Sequence, residues 1–342
     1  MPFQNIIGHQ STIASLQRAV ARQRLAHAYL FHGEAAIGKR STAVCLAQAL
    51  NCERESTTDA LDACGSCRLC QQIEARTHPD YFVIEPDREL ATPQIKIEQV
   101  REIEQQIMYR PLIGERKICL IDEADRMTIG AANALLKTLE EPPDHSLFFL
   151  VSSRPAALPA TIRSRCQSLR FATPVRTDVE AALILKREMP PADARFLAMI
   201  CEGRLGEALS TDLKSVRAQQ QELLDLVSPN SLRSVTNVLT AAESLAKADR
   251  AAEMLSWLAR WIRDLIIVQV GGDRNQLFYL ESLPTLEVYA RQAHTDSLLD
   301  LVQDIEKTEQ QVTRHLNLQM ALENILLRLR EAVTSSDSSV PV

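Results

Sequence analysis

Two hydrophobic patterns divide the chain. Over about the first 170 residues, short unbroken apolar runs recur at 27–31, 81–85, 118–121, 147–151 and 168–171. Runs without alternation fit strands covered on both faces, as in a parallel sheet. Helical spacing fills the intervals at 39–50, 97–109 and 130–140. Alternating strand and helix predicts right-handed crossovers and an α/β domain with a parallel five-stranded sheet between helices. The pattern changes near Thr173-Pro174, beyond which no convincing strand follows. Segments 178–188, 192–202 and 206–209 predict a small helical unit. Longer amphipathic helices are expected at 216–227, 232–247, 250–270, 283–294 and 295–332, where Leu298, Leu301, Val302 and Ile305 keep helical spacing. Ser228-Pro229-Asn230 and Gly271-Gly272-Asp273 predict loops, and the Ser-rich end a disordered tail. The expected boundaries are 1–172, with a cysteine-bearing insertion at about 52–70, then 173–211, 212–333 and the tail 334–342.

Composition narrows the function classes. The 342 residues are 46% hydrophobic and 24% charged, as in ordinary water-soluble chains, and long enough for two or three domains. The net charge of -6 excludes a generally basic nucleic-acid-binding surface, so any DNA contact must be local or belong to a larger assembly. The start is not leader-like, and apolar runs such as 265–268 are too short to span a bilayer. A cytoplasmic location with no membrane partner is therefore expected. In that compartment eight cysteines favour metal binding or buried thiols over disulfides.

The first candidate chemistry is "FHGEAAIGKRS", residues 31–41. Gly33, Gly38 and Lys39 keep the register of a phosphate loop, G-x-x-x-x-G-K-[ST], between a strand and a helix. Backbone N–H groups at the helix start would converge on phosphates, with Lys39 as the point charge. The position that should offer magnesium a hydroxyl holds Arg40, and Ser41 comes one residue late. The acidic partner lies in "KICLIDEADRM", where Asp122 would hold the metal shell and Glu123 would polarise water. The competing reading of these carboxylates is a cap on the next helix.

Cys52, Cys64, Cys67 and Cys70 form C-x11-C-x2-C-x2-C. Four thiolates at such spacing fit a closed tetrahedral zinc site of structural type. An iron–sulfur cluster and four unligated thiols are the other readings; the Cys-Pro of the ferredoxin run is missing. Arg163 and Arg165 sit in "LPATIRSRCQSLRF" just before the last strand. Taken alone, either is a surface ion-pair former or an arginine finger reaching into a neighbour's nucleotide site.

These motifs together resemble the clamp-loader branch of the AAA+ ATPases, as found in bacterial DNA polymerase III. The resemblance runs from "QNIIGHQ" to "NLQMALENILLRL" and includes "NALLKTLEEPP" and Ser164-Arg165-Cys166. It implies an AAA+ P-loop domain with a zinc module, a helical lid and an all-α collar. Two subunits of such a loader share this pattern, the ATP-hydrolysing gamma/tau motor and a stator-like partner. Lys39-Arg40 in place of Lys-Thr, "HPDYFVIEPD" after the zinc module, and "GRLGEAL" with Gly206 at the lid arginine's place side with the stator. Arg204 is only a neighbour of that place.

The implied function is loading of the sliding clamp on primed DNA, in a hetero-pentameric ring with gamma/tau and delta subunits. Arg165 would then be a trans-acting finger, while Gly33, Gly38, Lys39, Arg40, Ser41, Asp122 and Glu123 form a vestigial nucleotide site for ATP or ADP. Zinc is the implied structural cofactor, and Ser152-Ser153 match the sensor position. Polymerase activity would belong to the whole complex, since no palm or exonuclease carboxylate cluster is visible in this chain. Two alternatives remain: a gamma/tau-like motor using Lys39, Ser41, Asp122 and Glu123, and a zinc-containing DNA-binding protein. Segment 97–109, with Lys96, Arg101 and Arg110 nearby, reads as either a DNA-facing helix or a solvated face.

Overall fold

The computed structural model describes residues 2–54, 61–90, 92–247, 250–311 and 317–334. The expectation for the tail 334–342 and the middle of the cysteine insertion, 55–60, lie outside them, Thr334 excepted. The chain divides into two compact units, Met1–Ser210 and Thr211–Val342.

The first unit is built on strands β1 (Ala28–His32), β2 (Tyr81–Ile84), β3 (Lys117–Ile121), β4 (Ser146–Ser152) and β5 (Gln167–Arg170). They pair in parallel in the order β2-β3-β4-β1-β5. Around them lie α1 (Gln10–Ala21), α2 (Lys39–Leu50), α3 (Arg68–Glu74), α4 (Ile97–Ile107), α5 (Ile129–Glu140) and α6 (Ala160–Arg163). Successive strand side chains enter opposite layers, which is why the runs show no alternation. Tyr29 and Phe31 pack with Phe149, Phe171 and Leu46 on one face. Ala28 and Leu30 pack with Phe148, Ile121 and Leu135 on the other. Because β1 lies between β4 and β5, the loop leaving its carboxyl end opens at the strand-order switch, where α/β sheets bind ligands.

The same unit continues into α7 (Arg176–Arg187), α8 (Pro191–Ile200) and α9 (Leu205–Ser210). The second unit holds α10 (Leu213–Leu226), α11 (Pro229–Arg233), α12 (Val235–Lys247), α13 (Ala251–Gln269), α14 (Leu283–Gln292), α15 (Thr295–Gln311) and α16 (Leu318–Thr334). Its core is built on Trp261, Tyr279, Leu265 and Leu326.

Three local expectations need correction. Segment 228–230 is a helix start and not a loop: Ser228 Oγ accepts the Ser231 N–H, and Pro229 occupies the first helical position, where its missing N–H costs nothing. Segment 295–332 is two helices, because α16 packs back against α15 and Arg328 pairs with Asp304. The helix expected over 97–109 stops at Ile107, two residues earlier. Pro111 disfavours helical backbone before it, and the buried Asp80 carboxylate takes the N–H groups of Leu112, Ile113 and Gly114 at 2.8–3.0 Å. Met108, Tyr109, Leu112 and Ile113 are left exposed.

Candidate functional site

The phosphate loop spans from the end of β1 to the start of α2. Gly33 is required by close approach: a Cβ there would lie 2.3 Å from the Phe171 carbonyl oxygen. Lys39 opens α2 with only 5% of its surface exposed. Its ammonium donates to the Gly33 carbonyl at 2.7 Å and to the Glu34 carbonyl, so the loop's own oxygens hold the charge. Burial lowers its pKa, opposed by Asp122 and Glu34. Gly38, Lys39, Arg40, Ser41, Asp122 and Glu123 all line one cavity of about 520 Å³, so the structure brings the expected residues together. Ser41 is exposed on the first turn of α2.

Arg40 explains what became of the metal position. Its guanidinium bonds Asp122 Oδ2 at 2.9 Å and also pairs with Glu85. Burial raises the Asp122 pKa, and the Arg40 charge pulls it back. Glu85 is held below the usual carboxylate range: burial would raise it, but Arg76 and Arg40 outweigh that. Glu123, in left-handed backbone with φ 47°, pairs with Arg88 and Arg126, each at 2.5 Å.

Asp125 closes the motif Asp122-Glu123-Ala124-Asp125 that carries the resemblance, but the sequence assigned it no role. Its carboxylate accepts Ser152 Oγ–H at 2.7 Å and the Ser153 N–H at 3.2 Å, and Arg154 completes the cluster at 3.2 Å. The only signal for it was its place two residues after the acidic pair Asp122-Glu123. Facing the loop from α9, the Gly206 N–H donates to Ala36 O at 2.8 Å. A Cβ on Gly206 would meet that same oxygen at 2.9 Å, so the approach demands glycine.

The four cysteines gather as expected. All four sulfur atoms lie within 4.8 Å of one another, with Cys52–Cys67 and Cys64–Cys70 at 4.0 Å. Sulfurs around a tetrahedral zinc at 2.3 Å would be about 3.8 Å apart, so the cluster could hold zinc. Cys67 N–H donates to Cys64 Sγ at 3.2 Å, a bond that favours thiolate there, and Cys70 N–H donates to Cys67 Sγ at 3.4 Å. At Cys64 burial pushes the pKa up, but these N–H donors from Ser66 and Cys67 win and bring it to about 6. Gln48 of α2 donates to the Cys70 carbonyl at 2.8 Å, which ties the cluster to the helix of the phosphate loop.

Arg165 sits apart, between α6 and β5. Its Nη2 pairs with Glu140 of α5 at 2.7 Å and its Nη1 donates to the Thr161 carbonyl at 3.0 Å. The side chain is 35% exposed, Ser164 is exposed, and Cys166 is buried behind it. Arg165 precedes β5, whereas the phosphate loop follows β1. In a parallel sheet these are opposite ends, separated by roughly 13 Å of a four-residue strand.

A five-stranded parallel sheet with a phosphate loop at its switch point, a lid of short helices and a separate helical unit defines an AAA+-type P-loop protein. Two family models match: "DNA polymerase III, delta subunit" over residues 8–175, and "DNA polymerase III, delta subunit, C terminal" over residues 215–331. The DNA polymerase III subunit delta' of Pseudomonas aeruginosa is 30% identical over 326 residues, covering 94% of each chain. That of Yersinia pestis is 30% identical over 353 residues, covering 99% of this chain and 97% of its own. The Escherichia coli DNA polymerase III subunit tau is 36% identical over 215 residues, 61% of this chain and 32% of its own. The chain belongs to the DNA polymerase III subunit delta' family. Among the described residues, no helix is long and apolar enough to cross a membrane.

Proposed function

We propose that this chain is the stator-like subunit of a clamp loader, assembling with gamma/tau and delta subunits and presenting Arg165 to a neighbouring nucleotide site. The observation that carries this reading is the position of Arg165 at the sheet end opposite its own phosphate loop. From there the guanidinium cannot serve its own loop, yet it is half-exposed and held by Glu140 and Thr161. A finger needs that combination, since charge must be supplied to phosphoryl oxygens without reorganising at the moment of transfer.

The chain's own site is not arranged for hydrolysis. Asp122 is bonded to Arg40 and Glu123 to two arginines, so neither is free to hold a metal or orient water. Zinc in the four-cysteine cluster would be structural, as four thiolates leave no open coordination position. The ring, the sliding clamp and primed DNA are partners of the assembled complex in this reading.

The test is ATP turnover by the loader reassembled with gamma/tau and delta subunits, clamp and primed DNA. Arg165→Ala should lower stimulated turnover at the adjacent nucleotide site by roughly 10³-fold, so that the loader loses that site's share of its rate. An unchanged rate in a loader that assembles normally contradicts the proposal.

A further inference from the structure

The nucleotide loop invites a question that the stator reading leaves open: what Arg40 does there. We propose that Arg40 stands in for the divalent cation of this site, so that the loop refuses a metal-complexed phosphate ligand and accepts only a metal-free one. The inference rests on the non-hydrolysing part of the reading above and is independent of Arg165.

A magnesium ion needs near-octahedral oxygen ligands and gives up water reluctantly, so a protein must offer it free carboxylate lone pairs. Glu123 at this corner is held by Arg88 and Arg126, and the carboxylates paired with Arg40 are Asp122, after β3, and Glu85, after β2. Asp122 Oδ1 accepts the Glu123 N–H at 3.0 Å and Oδ2 accepts Arg40 at 2.9 Å. One Glu85 oxygen pairs with Arg40 and the other accepts Arg76 at 2.9 Å. Each of the four oxygens already accepts one N–H donor, and two of those donors belong to Arg40.

A doubly charged ion would have to break the Arg40 bonds and then lie within a few ångströms of the displaced guanidinium, which repels it. The residue one place earlier, Lys39, is the monovalent charge a phosphate would meet. Its present partners are carbonyl oxygens that a phosphate oxygen can replace. The cavity of about 520 Å³ beside them has the size of an ordinary small-molecule site. Arg40 therefore neutralises the acidic corner while leaving room for the ligand.

The test is electron paramagnetic resonance of Mn2+ added to the full chain with a non-hydrolysable ATP analogue. The wild type should show no immobilised Mn2+, and Arg40→Lys, which keeps the charge, should match it. Arg40→Ser restores a hydroxyl and frees Asp122, and should gain one immobilised Mn2+ that Asp122→Asn then abolishes. Arg40→Gln, which only removes the charge, gives the same reading if the serine variant does not fold. Immobilised Mn2+ in the wild type, or none in either uncharged variant, overturns the proposal. Both results are read without any partner subunit, so they stand whether or not Arg165 acts as a finger.

Discussion

The two ends of the sheet treat arginine in opposite ways. At the phosphate-loop end, Arg40 is held by two part-buried carboxylates, Asp122 and Glu85. At the other end, Arg165, 35% exposed like Arg40, is tied to a single and more exposed carboxylate, Glu140 at 51%. A guanidinium held by two part-buried carboxylates is costly to move, whereas an exposed pair is worth at most about 1 kcal/mol. In the function proposed above, one end of the sheet closes its own chemistry and the other keeps a charge for a partner.

The sharpest way to separate the two ends is to remove metal from the cysteine cluster. Zinc binding would contribute on the order of 10 kcal/mol to a segment with little apolar content. Because Gln48 bonds the Cys70 carbonyl, chelation should loosen α3 and the end of α2 together. Hydrogen exchange should show that loss there and leave α6 and β5 protected. Uniform loss over both ends would break the distinction.

Asp264 in α13 gives a reference outside both ends. Its carboxyl is fully buried, with the Tyr279 N–H on Oδ2 at 2.8 Å and Arg263 at 3.7 Å from Oδ1. Burial raises its pKa to about 7, against opposing pulls from the Tyr279 N–H and Arg263. The folded helical unit thus holds its proton more tightly than the unfolded chain does. Its stability should be full below about pH 4 and fall as pH rises through 7. Asp264→Asn should remove that fall, a gain on the order of 2–4 kcal/mol at pH 8. Denaturant unfolding of the helical unit between pH 5 and 8 checks it, and parallel curves for both proteins would contradict it.

Gly206→Arg acts on the loop end alone. Its Cβ meets the Ala36 oxygen at 2.9 Å, so α9 must back away, at a cost of about 1–3 kcal/mol. Thermal unfolding of the first unit should register the loss, while Arg165-dependent stimulation persists. The smallest effect is expected from Glu140→Gln, which removes one exposed ion pair and should change stability by under about 1 kcal/mol. A larger loss would mean that Arg165 is a structural anchor rather than a presented charge.

Much of this was legible beforehand. All five strands lie within one or two residues of their expected runs; β1, β3 and β4 are covered on both faces and leave no polar interruptions, whereas β5 is an exposed edge strand. The cysteines and the phosphate loop were legible because their chemistry fixes their spacing. What the sequence hid was the pairing between segments. Glu85 stands 45 residues from Arg40, and Asp80 some 30 residues from the loop it holds, distances that only the sheet order closes. Nothing in the helical periodicity showed where α15 gives way to α16, because both keep apolar residues three and four apart.

The central claim is that this chain supplies catalysis to a neighbour instead of performing it. The most direct measurement compares ATP turnover by the isolated chain with turnover by the assembled loader carrying wild type, Arg165→Ala or the surface control Arg163→Ala. The account predicts no turnover by the isolated chain, a roughly 10³-fold fall at the neighbouring site for Arg165→Ala, seen as loss of that site's share of the loader's rate, and no change for Arg163→Ala. Turnover by the isolated chain, with a loader indifferent to Arg165, would show that the motor lies in this subunit after all.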